Sequence, residues 1–457
     1  MLLSGGGRRT PVHAHSLCER NEMSVKSTIS HISRRGVLLG GAAAVAASAG
    51  LRSRPAYAAP DKVKVQFMYP VGVSGDINKL VSTMISKFNA AHEKIEVEAI
   101  YAGSYDNTEQ KVITALGVGD PPATWLPINS ALQTFLGLDA LADVTDKAKK
   151  TDIYQDFIPG FLETAVSDGK LYGLPFQPST PVLYFNADAF KAAGIAKPPV
   201  TWDELLEVSK ALTVRENGEL KRWGLTIGGG WHDWIFECFC RQNALVPWTK
   251  DKVLFDKPEA VDALEFWVKL VKAGVMPPAS TWQGSANDFM AGRTAMLYHS
   301  TGSLTNLRTS SPFKVDVAFM PKNKTFGACQ GGGPIMIAKK QSDAAIEASW
   351  TFAKWMTSTD VQSQWGRDTG YLAVRKSSWE TPEMLAYLKE VPQAKVALEQ
   401  SAYAGAFLQV PGYHKVREYL KSALDRTLAG EIKPDAALKE AADNSNREIQ
   451  RLLRRRS

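Results

Sequence analysis

The alternation Lys62-Val63-Lys64-Val65-Gln66-Phe67 reads as a half-buried strand, because successive side chains of a strand point to opposite faces. A loop with Gly72, Ser74 and Gly75 follows, and Asp76 then caps a helix whose apolar residues Ile77, Leu80, Val81, Met84, Ile85 and Phe88 share one face. Ile95 to Ile100 is a second strand. This β-α-β opening commits the chain to an α/β fold and predicts a mostly parallel sheet with helices on its faces. At 457 residues, 44% of them apolar, the chain exceeds what one hydrophobic core serves, so two lobes are expected.

The alternation of elements continues. Gly119-Asp120-Pro121-Pro122 ends a helix ahead of a short apolar strand, and Asp168-Gly169-Lys170 is a turn before Leu171 to Phe176. Thr201-Trp202-Asp203-Glu204 is a capping box that opens a helix through Leu212. Asp256-Lys257-Pro258 starts another, with Val261, Leu264, Val268 and Val271 on its predicted inner face. Strands follow over Ala295 to Tyr298, Val315 to Met320 and Pro334 to Ala338, a helix over Leu304 to Arg308, and a longer one around Ile346 to Met356. Beyond Tyr371 the pattern is nearly all helical. No Pro/Gly/Ser spacer separates two halves, as expected where a boundary is crossed several times.

The N-terminus carries an export signal. Ser33-Arg34-Arg35-Gly36-Val37-Leu38-Leu39 is a twin-arginine pattern, followed by a Gly/Ala-rich apolar stretch and the small-x-small site Ala56-Tyr57-Ala58. The stretch is shorter than the roughly 20 residues of a membrane span. Met23 would itself start a signal of ordinary length, so residues 1–22 read as an upstream extension. Of the 54 basic and 47 acidic residues, eight basic and two acidic ones lie before residue 59, so all but one of the seven net positive charges belong to the leader and the remainder is nearly neutral. Nucleic acid is therefore not an expected partner, and Arg451, Arg454, Arg455 and Arg456 read as a solvated helix end.

Enzyme signatures are absent from the sequence: there is no G-x-S-x-G elbow, H-E-x-x-H pair or P-loop. His92, His232, His299 and His414 are scattered. Cys238, Cys240 and Cys329 allow at most one disulfide, and the first two flank Phe239 in an apolar helix-like stretch that suits small buried side chains. No metal or cofactor is expected.

Other stretches suit the holding of a small polar molecule. Pro178-Ser179-Thr180-Pro181 sets two hydroxyls before the apolar Val182-Leu183-Tyr184-Phe185, either to satisfy a turn or to meet a ligand at the lip of a cleft. Gly228-Gly229-Gly230-Trp231-His232-Asp233-Trp234 offers two indoles, as core rings or as a platform for a polyol. Gln330-Gly331-Gly332-Gly333 is either a hairpin or a run of amides open to an anion. His299-Ser300-Thr301-Gly302-Ser303 lies at a strand-to-helix junction, as a plain cap or an anion site.

Together with Tyr101-Ala-Gly-Ser-Tyr105, Ser179 to Phe190, Thr301 to Arg308 and Thr369-Gly-Tyr-Leu372, these stretches resemble the extracytoplasmic solute-binding proteins of ABC importers, in particular their sn-glycerol-3-phosphate-binding members. The resemblance implies a two-lobed periplasmic binding protein fold, with a ligand cleft between lobes and a hinge crossed several times. It divides the chain into the leader 1–58, a mainly N-terminal lobe over 59–175, a mainly C-terminal lobe over 176–300, a return over 301–340 and a shared helical remainder over 341–457. It implies a periplasmic monomer that performs no chemistry, captures sn-glycerol-3-phosphate or a glycerophosphodiester by cleft closure, and delivers it to the permease subunits. Carried over residue by residue, the implied ligand contacts are Tyr105, Ser179, Trp231, Trp234, Ser300, Gly332, Tyr371 and Arg417, with the Arg417 fork on two phosphate oxygens. Asn129 stands where the family has a glutamate, which implies weaker selection of glycerol-3-phosphate over a diester such as glycerophosphocholine. The alternatives are a sugar or oligosaccharide binder, and an exported hydrolase.

Overall fold

The computed structural model describes residues 62–70 and 77–454. The export signal, the loop with Gly72, Ser74 and Gly75, the Asp76 cap, and Arg455 and Arg456 lie outside the described residues.

Ten strands build two five-stranded sheets: β1 (Val63–Pro70), β2 (Ile95–Gly103), β3 (Thr124–Trp125), β4 (Gly173–Pro175), β5 (Pro181–Asn186), β6 (Val214–Glu216), β7 (Glu219–Ile227), β8 (Thr294–Ser300), β9 (Val315–Ala318) and β10 (Pro334–Ile337). The first sheet has the order β2-β1-β3-β10-β4 and the second β9-β5-β8-β7-β6. The opening β-α-β unit is as expected, with β1 parallel to β2 and β3. The sheets as wholes are mixed, contrary to expectation: β10 runs antiparallel to β3 and β4, and β5 antiparallel to β8 and β9. The reason is connectivity. Strands β1, β3, β7 and β8 end at the cleft, whereas β5 and β10 arrive from the other lobe and begin there.

Three chain segments lie side by side where the lobes join. Ser179 and Gly331 exchange both backbone hydrogen bonds (3.2 and 2.7 Å), and Leu372 N donates to Pro178 O (2.9 Å). Residues 177–180, 331–333 and 370–373 thus form one hydrogen-bonded seam, which satisfies backbone groups that burial would otherwise orphan.

Helices cover both sheets. In the first lobe α1 (Ile77–Ala91) buries Ile77, Val81, Met84, Ile85 and Phe88, with Leu80 at its margin, and Phe88 meets Phe352 at a ring distance of 5.3 Å. Helix α2 (Tyr105–Val118) is capped by Ser104, whose hydroxyl accepts from Asn107 N (3.2 Å). In the second lobe α3 (Trp202–Leu212) begins with the expected capping box, Thr201 Oγ1 accepting from Glu204 N (3.2 Å) and Glu204 Oε2 from Thr201 N (3.1 Å). Thr201→Ala should therefore lower unfolding stability by about 1 kcal/mol, measured by urea titration. Helix α4 (His232–Gln242) is buried almost throughout, and Cys238 and Cys240, like Cys329, are buried free thiols.

Helix α5 (Pro258–Lys272) is rotated from its expected inner face. It buries Ala260, Ala263, Leu264, Phe266, Trp267 and Leu270, while Val261, Val268 and Val271 are only half-buried. The bulk of Phe266 and Trp267 decides this, because Trp267 packs edge-on against Phe239 (5.4 Å) and two large rings release more apolar area than three valines. The chain ends in the paired helices α6 (Tyr413–Leu428) and α7 (Pro434–Leu453), which close the second lobe beside α4 and α5. The C-terminal part also holds one short strand, Ala404–Ala406, parallel to Ala328–Gln330.

Candidate functional site

A cavity with about 330 Å³ of empty space lies against the hinge seam. Its walls come from the cleft-facing ends of the elements just described. Tyr105 starts α2, Ser179 precedes β5, Trp231 and Trp234 follow β7, Ser300 ends β8, Gly332 leads into β10, and Tyr371 follows the Thr-Gly turn. Seven of the nine residues expected at the site thus meet in one cavity.

The two hydroxyls of the Ser-Thr-Pro corner divide the two readings between them. Ser179 faces the cavity. Thr180 is structural: its hydroxyl accepts from Gln400 Nε2 (3.2 Å), and its backbone N donates to Thr301 Oγ1 (3.3 Å). Ser300 does both, lining the cavity while its Oγ accepts from Gly302 N (3.2 Å). Gly332 has φ +80°, and a Cβ there would overlap the Gln177 carbonyl oxygen, so only glycine fits beside the seam.

Tyr105 and Tyr371 are buried and bonded to each other, and Gln177 Nε2 donates to the Tyr105 hydroxyl (2.5 Å). Burial pushes both phenols up from their ordinary value, so they stay neutral at any physiological pH. His299 lies behind the wall, stacked on Trp282 at 3.6 Å and bonded to Ser303 Oγ (2.7 Å). Burial pushes its imidazole down to about 3, so it is neutral.

Two expected residues stand just outside the lining. Asn129 is buried in a 3-10 turn beside Ile128, which lines the cavity. Its Nδ2 donates to Gln330 O (3.0 Å) and its backbone N to Gly332 O (2.9 Å), while Oδ1 has no protein partner. Arg417, on α6, is 1% exposed and lies behind Trp231, its guanidinium 4.1 Å from the indole centroid. The expected fork on two phosphate oxygens is not free in this arrangement. Nε donates to Asp233 Oδ2 (2.7 Å) and Nη1 to Asp106 Oδ1 (3.2 Å), and only Nη2 lacks a partner. Two carboxylates therefore already offset the one guanidinium charge.

Sequence reasoning missed Trp282 and Ile128, both part of the wall, while Gly331 of the singled-out glycine run lines it beside Gly332. Trp282 had no distinguishing signal: Thr281-Trp282 opens a helix as Thr201-Trp202 does, yet Trp202 is core and Trp282 faces the cavity. The indole N–H groups of Trp234 and Trp282 are buried without a protein partner. The wall is thus aromatic and hydroxylic, without a cationic side chain among the described lining residues, which suits a small polyol stacked on indoles. Nor do the described residues contain a group of three or more His, Cys, Asp or Glu that could hold a metal ion.

Two α/β lobes joined by a three-segment seam, with a small aromatic cavity against it, define a cleft-type solute receptor. Residues 83–395 match the family of bacterial extracellular solute-binding proteins, and the chain belongs to that family, as a solute-binding protein of an ABC importer. It is similar to the sn-glycerol-3-phosphate-binding periplasmic protein UgpB of Salmonella typhimurium, 28% identical over 83% of this chain and 91% of that one. The UgpB of Pectobacterium atrosepticum is 26% identical over 90% of this chain and 96% of its own. Among solved structures, UgpB from Mycobacterium tuberculosis in complex with glycerophosphocholine matches with a TM-score of 0.76 at 22% identity, over 86% of this chain and 99% of that one. The solute-binding protein from Thermotoga lettingae bound with alpha-D-tagatose gives 0.76 at 24%, over 85% and 100%. These structural likenesses establish the fold, the two-lobed periplasmic binding protein fold.

Proposed function

We propose that this receptor captures a small phosphorylated polyol, and a monoanionic glycerophosphodiester in preference to dianionic glycerol-3-phosphate. The observation that carries the reading is the state of Arg417. Its charge is shared with Asp233 and Asp106, leaving Nη2 as its one unpartnered donor, so the neighbourhood offers little positive charge for a second phosphate charge. Ser179, Ser300, the Gly332 amide and the two phenols supply neutral bonds to phosphate or hydroxyl oxygens, and Trp231 and Trp234 flank the aliphatic carbons. The space between these walls is only about 330 Å³ even with its open mouth counted, which supports a glycerol-sized ligand over an oligosaccharide. Relatives named for glycerol-3-phosphate and a fold neighbour holding glycerophosphocholine agree with this chemistry. In this reading the twin-arginine leader exports the chain, which works as a monomer and hands its ligand to the permease.

Calorimetric titration tests it. Glycerophosphocholine should bind at one per chain and more tightly than glycerol-3-phosphate, with glycerol and maltose weaker than both. Equal or tighter binding of maltose would overturn it in favour of a sugar receptor. Asn129 is expected to matter through its support of the glycine run, because a carboxylate cannot donate to Gln330 O. Asn129→Glu should therefore weaken both phosphate ligands by about tenfold, the effect of one lost buried hydrogen bond and an unsatisfied acceptor. A change in one ligand alone would show instead that the amide sets selectivity.

A further inference from the structure

An acid–base network beyond the cavity joins the lobes. On its first-lobe side are Asp106 and Glu109 of α2, a helix that packs on β1 and β2. On its second-lobe side are Tyr413, His414 and Arg417 of α6, which packs on α4, α5 and α7. Arg417 Nη1 reaches Asp106 (3.2 Å), His414 Nε2 lies 2.6 Å from Glu109 Oε2, and His414 Nδ1 lies 3.6 Å from Asp106 Oδ1. The Tyr413 hydroxyl donates to the same Glu109 carboxylate, which also accepts from Ile128 N (3.1 Å) in the cavity wall. Asp233 of α4 holds Arg417 from behind.

We propose that Asp106 and Glu109 form a clasp with His414 and Arg417 that holds the closed cleft and positions the Arg417 guanidinium over Trp231. The clasp rests on the reading of the chain as a closing receptor and not on the identity of its ligand. The four groups come from opposite lobes, so hinge opening separates them, and each pairing counts only in the closed form. Arg417 has a second carboxylate, Asp233, on its own lobe and remains paired when the cleft opens. Among the described residues Asp106 and Glu109 form ion pairs only with His414 and Arg417 of the other lobe, so these pairings favour closure.

The network carries a pH signature. Burial alone would push His414 down, and the Asp106 and Glu109 carboxylates overcome it and raise the imidazole from 6.5 to about 9. Its contribution to the closed form is complete below the ordinary value and is lost as pH rises through about 9. Burial would push Asp106 up, and His414, Arg417 and Lys421 outweigh it and hold the carboxyl at about 2, so its contribution is lost only as pH falls through about 2. Glu418 and Lys421 of α6 also face this depression, and Tyr413, pushed far up by burial, stays neutral through the range. The clasp is therefore complete in mildly acidic and neutral solution and is weakened in alkali, where the His414 pairings go and the Arg417–Asp106 pair remains.

The test uses the full chain with Val118→Cys and Val246→Cys carrying spin labels, one per lobe, at sites 77% and 45% exposed. Among the described residues the native thiols, Cys238, Cys240 and Cys329, are buried, and Cys18, outside them, is replaced by serine in the labelled chain. Pulsed electron resonance should show the short inter-label distance more populated at pH 6 than at pH 9.5, with and without glycerophosphocholine. Asp106→Asn and His414→Gln should each shift the population to longer distances at pH 6. The same variants should speed glycerophosphocholine dissociation by about tenfold with association little changed, as for a charge-assisted bond present only in the closed form. His414→Gln should also abolish the dependence between pH 6 and 9.5. A wild-type distance distribution unchanged by pH, or an unaltered pH profile in His414→Gln, overturns the clasp. If glycerophosphocholine does not bind, the distances of the free chain still decide for or against it, so the two proposals fail separately. Circular dichroism confirms that each variant is folded, and both substitutions lie on half-exposed side chains.

Discussion

Arg417→Met should lower the unfolding free energy by about 3–5 kcal/mol, the usual cost of removing one partner from a buried ion pair. Asp233 is fully buried and would lose the partner of its carboxylate, and Trp231 would lose the guanidinium over its ring. The denaturation midpoint in urea reads the loss. Adding Asp233→Asn to Arg417→Met should recover a large part of it, since the buried carboxyl left without its partner rather than the missing guanidinium is the main penalty. Failure to recover would mean that packing against Trp231 and Phe407 carries the effect. Under the proposed ligand reading, both variants bind glycerophosphocholine more weakly than the wild type, because Trp231 loses the guanidinium that backs it at the cavity wall.

Gly332→Ala has a comparable expected effect for a different reason. At φ +80° an alanine is strained, and its Cβ would overlap the Gln177 carbonyl, which belongs to the neighbouring hinge segment. Strain and overlap together should cost about 3 kcal/mol or more and distort the seam that aligns Ser179 with Gly331. Gly119 is the matched control: its φ is also +80°, but a Cβ there meets nothing within 4 Å. Gly119→Ala should cost only about 1–2 kcal/mol, the left-handed strain alone. Ligand titration should show binding kept in Gly119→Ala and lost in Gly332→Ala; equal behaviour would remove the overlap as the cause.

Much of the site was legible because its residues sit at breaks between periodic segments. Ser179, Ser300 and Gly332 fall where an apolar run starts or stops, and loops at strand ends are where an α/β fold exposes its chemistry. Trp231 and Trp234 were marked by the glycine run before them. Trp282 and Ile128 were not, because nothing local separates an indole that packs in a core from one that faces a cavity. The face of α5 was misjudged for a related reason: valine periodicity suggested one stripe, and the packing of Trp267 on Phe239 selected another.

Periodicity, caps and turn residues by themselves determined the α/β class, most element positions, the capping box at Thr201 and the need for two cores. These depend on interactions within a few residues of chain, which the order of amino acids specifies directly. Tertiary structure alone decided the antiparallel placing of β5 and β10, the three-segment seam, and the partners of Arg417. Asp106, Asp233 and Arg417 are separated by more than a hundred positions in sequence, so whether the guanidinium is free for a phosphate or held by two carboxylates is set only when α2, α4 and α6 meet.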